Sequence, residues 1–123
     1  MKILLANIMI VAKIYRDKNN YIKKYTIEGH SDYDSYGKDI VCAAISVLSQ
    51  TTLLSLVEVC GLEENNIKYS IDEETGFLDV ELPKNIEKFK LDRTQILLES
   101  LVVGINSVIE SYPEYVALKN GEV

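Results

Sequence analysis

The chain reads as an α+β protein, with two β-hairpins and a short C-terminal strand forming a mainly antiparallel or mixed sheet packed with two long α-helices. Three observations predict this. Strand-like segments come in pairs around turn residues, two long stretches repeat apolar residues at helical spacing, and pairs and helices alternate along the chain.

The run "MIVAKIYR" from Met9 to Arg16 is rich in β-branched and aromatic residues, "DKNN" supplies a turn, and "YIKKYTIEG" alternates, so the three form a hairpin. Ser31 to Lys38 has no period and reads as an exposed loop ending near Gly37. From Ile40 to Cys60 the positions Val41, Ala44, Ile45, Leu48, Thr52, Ser55, Leu56 and Val59 follow helical spacing, which predicts a largely buried helix. Asp39 is placed to cap its start, and Gly61 its end. "NIKYSID" and "FLDVELP" flank the turn "EETG" as a second hairpin. A second helix is expected from about Arg93 to about Ser111, capped by Asp92, with Ile96, Leu97, Leu101, Ile105, Val108 and Ile109 on its apolar stripe. Pro113 follows its end, and "EYVALK" reads as a short final strand.

At 123 residues the chain is the size of one domain, and its 47% hydrophobic content against 26% charged suits a packed core rather than disorder. Residues 9–118 are expected to form a single α+β domain, with residues 1–8 an N-terminal extension or ragged strand start and residues 119–123 a loose tail. "MKILLANIMIVAK" joins a Lys to an apolar run as a signal peptide does, yet it has no small-x-small cleavage pattern and is too short to span a bilayer. Thirteen basic against nineteen acidic residues give a formal charge of −6, which repels phosphate backbones and anionic lipid and attracts a basic peptide. Neither nucleic acid nor membrane is therefore an expected partner.

Cys42 and Cys60 are eighteen positions apart on one expected helix, which separates them by roughly 27 Å at about 1.5 Å per residue. That excludes a disulfide between them. One histidine and two distant cysteines do not make a zinc site either, so no metal or cofactor is expected, and two thiols suit a reducing cytoplasm.

Chemistry concentrates in "GHSDYDSYGKDIVCAAIS", residues 29–46. With Asp39 as cap, Cys42 falls in the first helical turn, where the helix field favours a thiolate and where backbone N–H groups, that of Cys42 included, are open to an oxyanion. The charge of Asp39 opposes the first effect if it faces the sulfur. His30 ends the preceding strand, and an imidazole there is suited to take the thiol proton and return it to a leaving amine. Ser46, one turn beyond Cys42, offers a hydrogen bond on the same face. Gly29 and Gly37 bracket a loop carrying Ser31, Asp32, Tyr33 and Tyr36, which reads as a gate whose tyrosines line a peptide groove. A cysteine inside "VCAAI" equally fits a small core residue, a histidine at a strand end a surface residue, and the tyrosines loop packing; spacing does not choose. Cys60 stands at the wrong end of the helix for thiolate stabilisation.

These residues resemble the signature of the bacterial ribosomal-processing cysteine protease family, Prp. The pattern joins Gly29-His30 to Gly37, to Asp39-Ile40-Val41-Cys42-Ala43-Ala44 and to Ser46, and it extends more loosely through "MIVAKIYRD" and "LLESLVVGINSVIESYPEYV". The resemblance implies a catalytic dyad of His30 and Cys42 in an endopeptidase that removes the N-terminal extension of a large-subunit ribosomal protein precursor. It also implies a homodimer with an α+β fold and a loop between the dyad residues that moves to admit substrate. Ser31 and Asp32 stand where family members often carry Ala and Gly, and "MKILLANI" precedes the family's usual start. The competing reading is a non-catalytic dimeric module that binds a ribosomal protein or assembly factor through its apolar helices. A redox sensor built on Cys42 would need a resolving cysteine nearby.

Overall fold

In the computed structural model, which describes residues 10–29 and 38–123, strand β1 (Ile10–Arg16) alternates buried Ile10, Ala12 and Ile14 with less buried residues, as a strand covered on one face must. Strand β2 (Ile22–Glu28) pairs with it antiparallel, setting Ile27 opposite Ala12 and Tyr25 opposite Ile14. The turn between them is held by Asp17. Its carboxylate accepts the Asn19 and Tyr21 amides at 2.8 and 3.0 Å, while Asn20 takes a left-handed φ of 71°. The apolar period of "IKKYTI" breaks between Ile22 and Tyr25, and the strand answers with a register shift that pairs Arg16 with Ile22. One extra residue there turns both Ile22 and Tyr25 onto the same face.

Helix α1 (Lys38–Glu58) follows, then a 3-10 turn (Glu64–Asn66), strand β3 (Lys68–Asp72), strand β4 (Phe77–Glu81), helix α2 (Lys88–Ser111) and strand β5 (Val116–Glu122). The sheet order is β3-β4-β2-β1-β5, antiparallel except where β5 lies parallel to β1. It is thus the mixed sheet expected, with both hairpins present. Register brings Leu78, Val80 and Val116 onto the face of Ile10, Ala12 and Ile14, and both helices cover that face. Tyr25 donates its buried hydroxyl to the Ser49 carbonyl of α1 at 2.8 Å, and Gln95 of α2 bonds both backbone groups of Ile22 at 2.7 and 2.9 Å. The opposite face carries Lys13 and Lys24, whose ammonium groups stand 5.1 and 5.2 Å from the centre of the Tyr15 ring.

Several boundaries differ from expectation. The first helix begins at Lys38 and ends at Glu58, so Asp39 lies inside its first turn rather than capping it. An acidic residue is favourable there as well, because the helix field extends over the first turn. Gly61, at φ 79°, does terminate the helix. Its amide reaches Val57 O at 3.2 Å, and the Leu62 amide reaches Leu56 O at 3.0 Å.

The first helix is also less buried than its composition predicts. Val41, Ile45, Leu53 and Leu56 enter the core, but Val47 is 64% exposed and Ile40, Leu54 and Val59 are exposed as well. Only one side of a helix lying on a sheet is covered. By length and composition Asp39–Glu58 would suffice to cross a membrane, yet a third of it is packed inside this fold.

The second helix starts at Lys88 rather than near Arg93. Asp92 is therefore internal, bound to Lys88 at 3.1 Å one turn back, and Ile96 is 74% exposed while Thr94 and Leu98 take the core positions. Residues 119–122 belong to β5, not to a loose tail, because their backbone pairs with β1 through Glu122 opposite Arg16. The expected extension at residues 1–8 lies outside the described residues.

Candidate active site

Helix α1 and strand β2 border one cleft. Its walls include Ile27 near the end of β2, Ser46, Ser49 and Gln50 on α1, and Asp72 and Gly76 of the β3–β4 hairpin, around a cavity of about 180 Å³. The hairpin tip closes one side by backbone approach. A Cβ placed on Gly76 would stand 3.5 Å from the Gly29 carbonyl oxygen, and Gly76 itself has φ 72°. The turn is bound by Asp72, whose carboxylate accepts the Glu74 and Thr75 amides and whose carbonyl accepts that of Gly76 at 2.9 Å.

Cys42 is the fifth residue of α1, half-buried, and packs against the core cluster. A helix beginning at Lys38 pairs the Cys42 amide with the Lys38 carbonyl four residues back. That amide is thus engaged within the helix, a correction to its expected role as an oxyanion donor. Asp39 and Ser46 are both exposed.

Cys42, Ser46, Ser49 and Leu53 follow i, i+4, i+7, i+11 spacing and share one stripe of the helix. Ser46 and Ser49 line the cleft, so the stripe of Cys42 leads directly along it. Buried Ser49 secures its hydroxyl on the Ile45 carbonyl at 2.7 Å, and burial pushes the Tyr25 phenol well above its ordinary range, leaving it a neutral donor to Ser49.

Gly29 is placed at the end of β2 beside the hairpin tip. His30, Ser31, Asp32, Tyr33, Tyr36 and Gly37 lie outside the described residues. What is placed is therefore the frame: the strand that leads into His30 and the helix that carries Cys42 meet at one cleft.

Cys60 stands beyond the last turn of α1, 2% exposed, and burial raises its thiol pKa against a smaller lowering by Arg93. It is removed from solvent chemistry. Among the described residues no group of three His, Cys, Asp or Glu side chains comes together to hold a metal ion.

The β3–β4 hairpin is the part of the site that spacing around Cys42 does not reveal. Its signal in the sequence is "DEETG", a turn with an Asp able to cap it and a glycine at the left-handed position, but nothing local says that this turn packs against Gly29.

A family model described as cysteine protease Prp matches residues 9–117. The ribosomal processing cysteine protease Prp of Bacillus subtilis is 24% identical over 106 residues, covering 86% of this chain and 92% of its own length. Among solved structures, SMU.848 from Streptococcus mutans superposes with a TM-score of 0.80 at 28% identity, covering 96% of this chain and 98% of that one. The ribosomal processing protease Prp of Staphylococcus aureus, in complex with a substrate peptide, superposes with a TM-score of 0.78 at 20% identity, covering 91% and 99%.

Proposed function

Because the chain belongs to the cysteine protease Prp family and is a cysteine protease, we propose that it is the endopeptidase that removes the N-terminal extension of a large-subunit ribosomal protein precursor in the cytoplasm. The single observation that carries this reading to named residues is the shared cleft. Ile27, three residues before His30, and Ser46, one turn after Cys42, face the same cavity.

In the proposed reaction His30 takes the proton of the Cys42 thiol, and the thiolate attacks the scissile carbonyl. In a helix the Cα–Cβ bond tilts toward the N-terminus, so the sulfur leans toward the first turn. Amides there, including those of Asp39 and Ile40, are suited to receive the oxyanion. Collapse of the tetrahedral adduct breaks the C–N bond as His30 protonates the leaving amine. Water, deprotonated by the same imidazole, then hydrolyses the thioester and returns the thiol. Gly29 and the loop through Ser31, Asp32, Tyr33, Tyr36 and Gly37 supply the gate, and Asp39 and Ser46 are supporting residues at the rim.

A homodimer belongs to the same proposal. What supports it is the apolar outer surface of the helix layer, where Val47, Ile96 and Val103 are each exposed. Sedimentation equilibrium reads the oligomeric state, and a monomer would remove that part.

The test of the chemistry is mass spectrometry of the precursor's N-terminal peptide after incubation with the wild-type protein and with Cys42→Ala. The expected result is one cut by the wild type and an intact peptide with the variant. A peptide that binds both proteins and stays intact with both would instead support a non-catalytic binding module.

A further inference from the structure

Beside the cleft at Ser46, farther along α1, lies a second, apolar groove of about 370 Å³ between β3 and the C-terminal half of α1. Ile71 lines both, so the two cavities adjoin there. Leu53, Leu54, Val57, Ile67 and Tyr69 form the rest of its apolar wall. Tyr69 and Ile71 point to the helix side of the sheet, since they pair with buried Val80 and Leu78, yet they remain 40% and 45% exposed. Strand β3 lies beyond the helix layer's cover.

We propose that this groove seats the substrate chain itself, as an extended strand laid along the open edge of β3 with alternate apolar side chains set down between β3 and α1. The proposal rests on the reading above that the protein cuts a peptide. Three observations select that occupant. Among the described residues β3 is the terminal strand of the sheet, and all five of its residues are exposed, so its outer ladder faces outward for strand addition. The groove adjoins, at Ile71, the cleft onto which the Cys42 stripe leads. Dimensions also agree: Leu53 to Val57 lie eleven to fifteen positions beyond Cys42, roughly 16–22 Å along the helix, which an extended chain covers in about five to seven residues.

The groove therefore reads side chains at that distance from the scissile bond, and it calls for aliphatic or aromatic ones. On its rim Glu64 is engaged by the Tyr69 hydroxyl at 2.7 Å.

The experiment compares wild type, Leu54→Asn, Ile71→Asn and, as a control on α2, Phe89→Asn. All three positions are exposed, which keeps the variants folded. KM and kcat are measured on the precursor's N-terminal peptide. In parallel, affinity of the labelled peptide is measured by fluorescence anisotropy, with Cys42→Ala in every background.

Leu54→Asn and Ile71→Asn are expected to raise KM and Kd about tenfold, the loss of one buried apolar contact, with kcat unchanged and Phe89→Asn like wild type. Peptides shortened to four residues on the groove side of the cut should bind wild type and Leu54→Asn equally. Unchanged KM and Kd in both groove variants would overturn the proposal. A dimer that becomes monomeric in those variants would overturn it too, by assigning the groove to a second copy. If wild type leaves the peptide uncut, the protease–substrate reading fails, and the anisotropy series decides the groove by itself.

Discussion

Gly76 and Gly29 meet backbone to backbone, with a Cβ on Gly76 falling 3.5 Å from the Gly29 carbonyl oxygen. That distance is ordinary contact, so the restriction at Gly76 comes from its φ of 72° rather than from lack of space. Gly76→Ala is expected to lose about 1–2 kcal/mol, the cost of a left-handed L-residue, and Gly76→Asn less. Urea denaturation gives the stabilities. A fall in kcat/KM larger in Ala than in Asn would follow the same order, because the hairpin tip walls the cleft.

The two helices cross where Gly104 faces Leu48. A Cβ on Gly104 would lie 2.9 Å from one Leu48 methyl and 3.2 Å from the other. Gly104→Ala should come out near neutral, since about 1 kcal/mol of helix propensity offsets the displacement of a flexible side chain. Gly104→Leu should lose about 1–3 kcal/mol by overpacking, measured by thermal denaturation.

Tyr25→Phe removes the buried hydrogen bond to Ser49 and should cost about 1 kcal/mol. The pH dependence has a definite sign. Burial raises the folded-state pKa above the unfolded value of about 10, so this contribution is present below that value and falls as pH rises through it. Alkaline unfolding curves should therefore be flatter in Tyr25→Phe than in wild type.

Arg16 grips Glu99 with both guanidinium nitrogens, at 2.7 and 3.0 Å, tying β1 to α2. The Arg16 hydrogen bonds hold the Glu99 carboxyl below its ordinary range against a smaller opposing effect of burial. Its contribution is present above the unfolded carboxylate pKa of about 4.3 and lost as pH falls through the lowered folded value. Glu99 is 47% exposed, so the effect is under about 1 kcal/mol. Glu99→Gln should show less loss of stability on acidification in a pH series of denaturant midpoints.

Buried Cys60 should resist alkylation in the native protein and react once denaturant is added, because its thiol is both covered and shifted upward by burial. Iodoacetamide labelling followed by peptide mass spectrometry reads this directly. Prompt native labelling at Cys60 would contradict its placement.

The order of elements was legible because each carries its own local signal. β-branched and aromatic content marks "MIVAKIYR" and alternation marks "YIKKYTIE", and the φ of Gly61 is readable from its place after the last periodic residue. Helix starts were less legible. Lys38 and Lys88 are ordinary helix formers with no distinguishing mark, so the nearest acidic residues, Asp39 and Asp92, looked like caps. Val59 and Ile96 lie on apolar stripes yet are exposed for a related reason: apolar character says that a side chain can be buried, and only the neighbouring element says whether it is.

By itself the sequence determined the α+β plan and the family pattern from Gly29 to Ser46, and it singled out Cys42 rather than Cys60 as the candidate nucleophile. These depend on residue types at short separations, where helix and strand periods act. Only the tertiary structure decided that β5 runs parallel to β1 through residue 122, that the "DEETG" turn lies against Gly29, and that β3 extends beyond the helices with a groove behind it. Each is a contact between segments distant in the chain, selected by the shape of the whole core, and no local period encodes it.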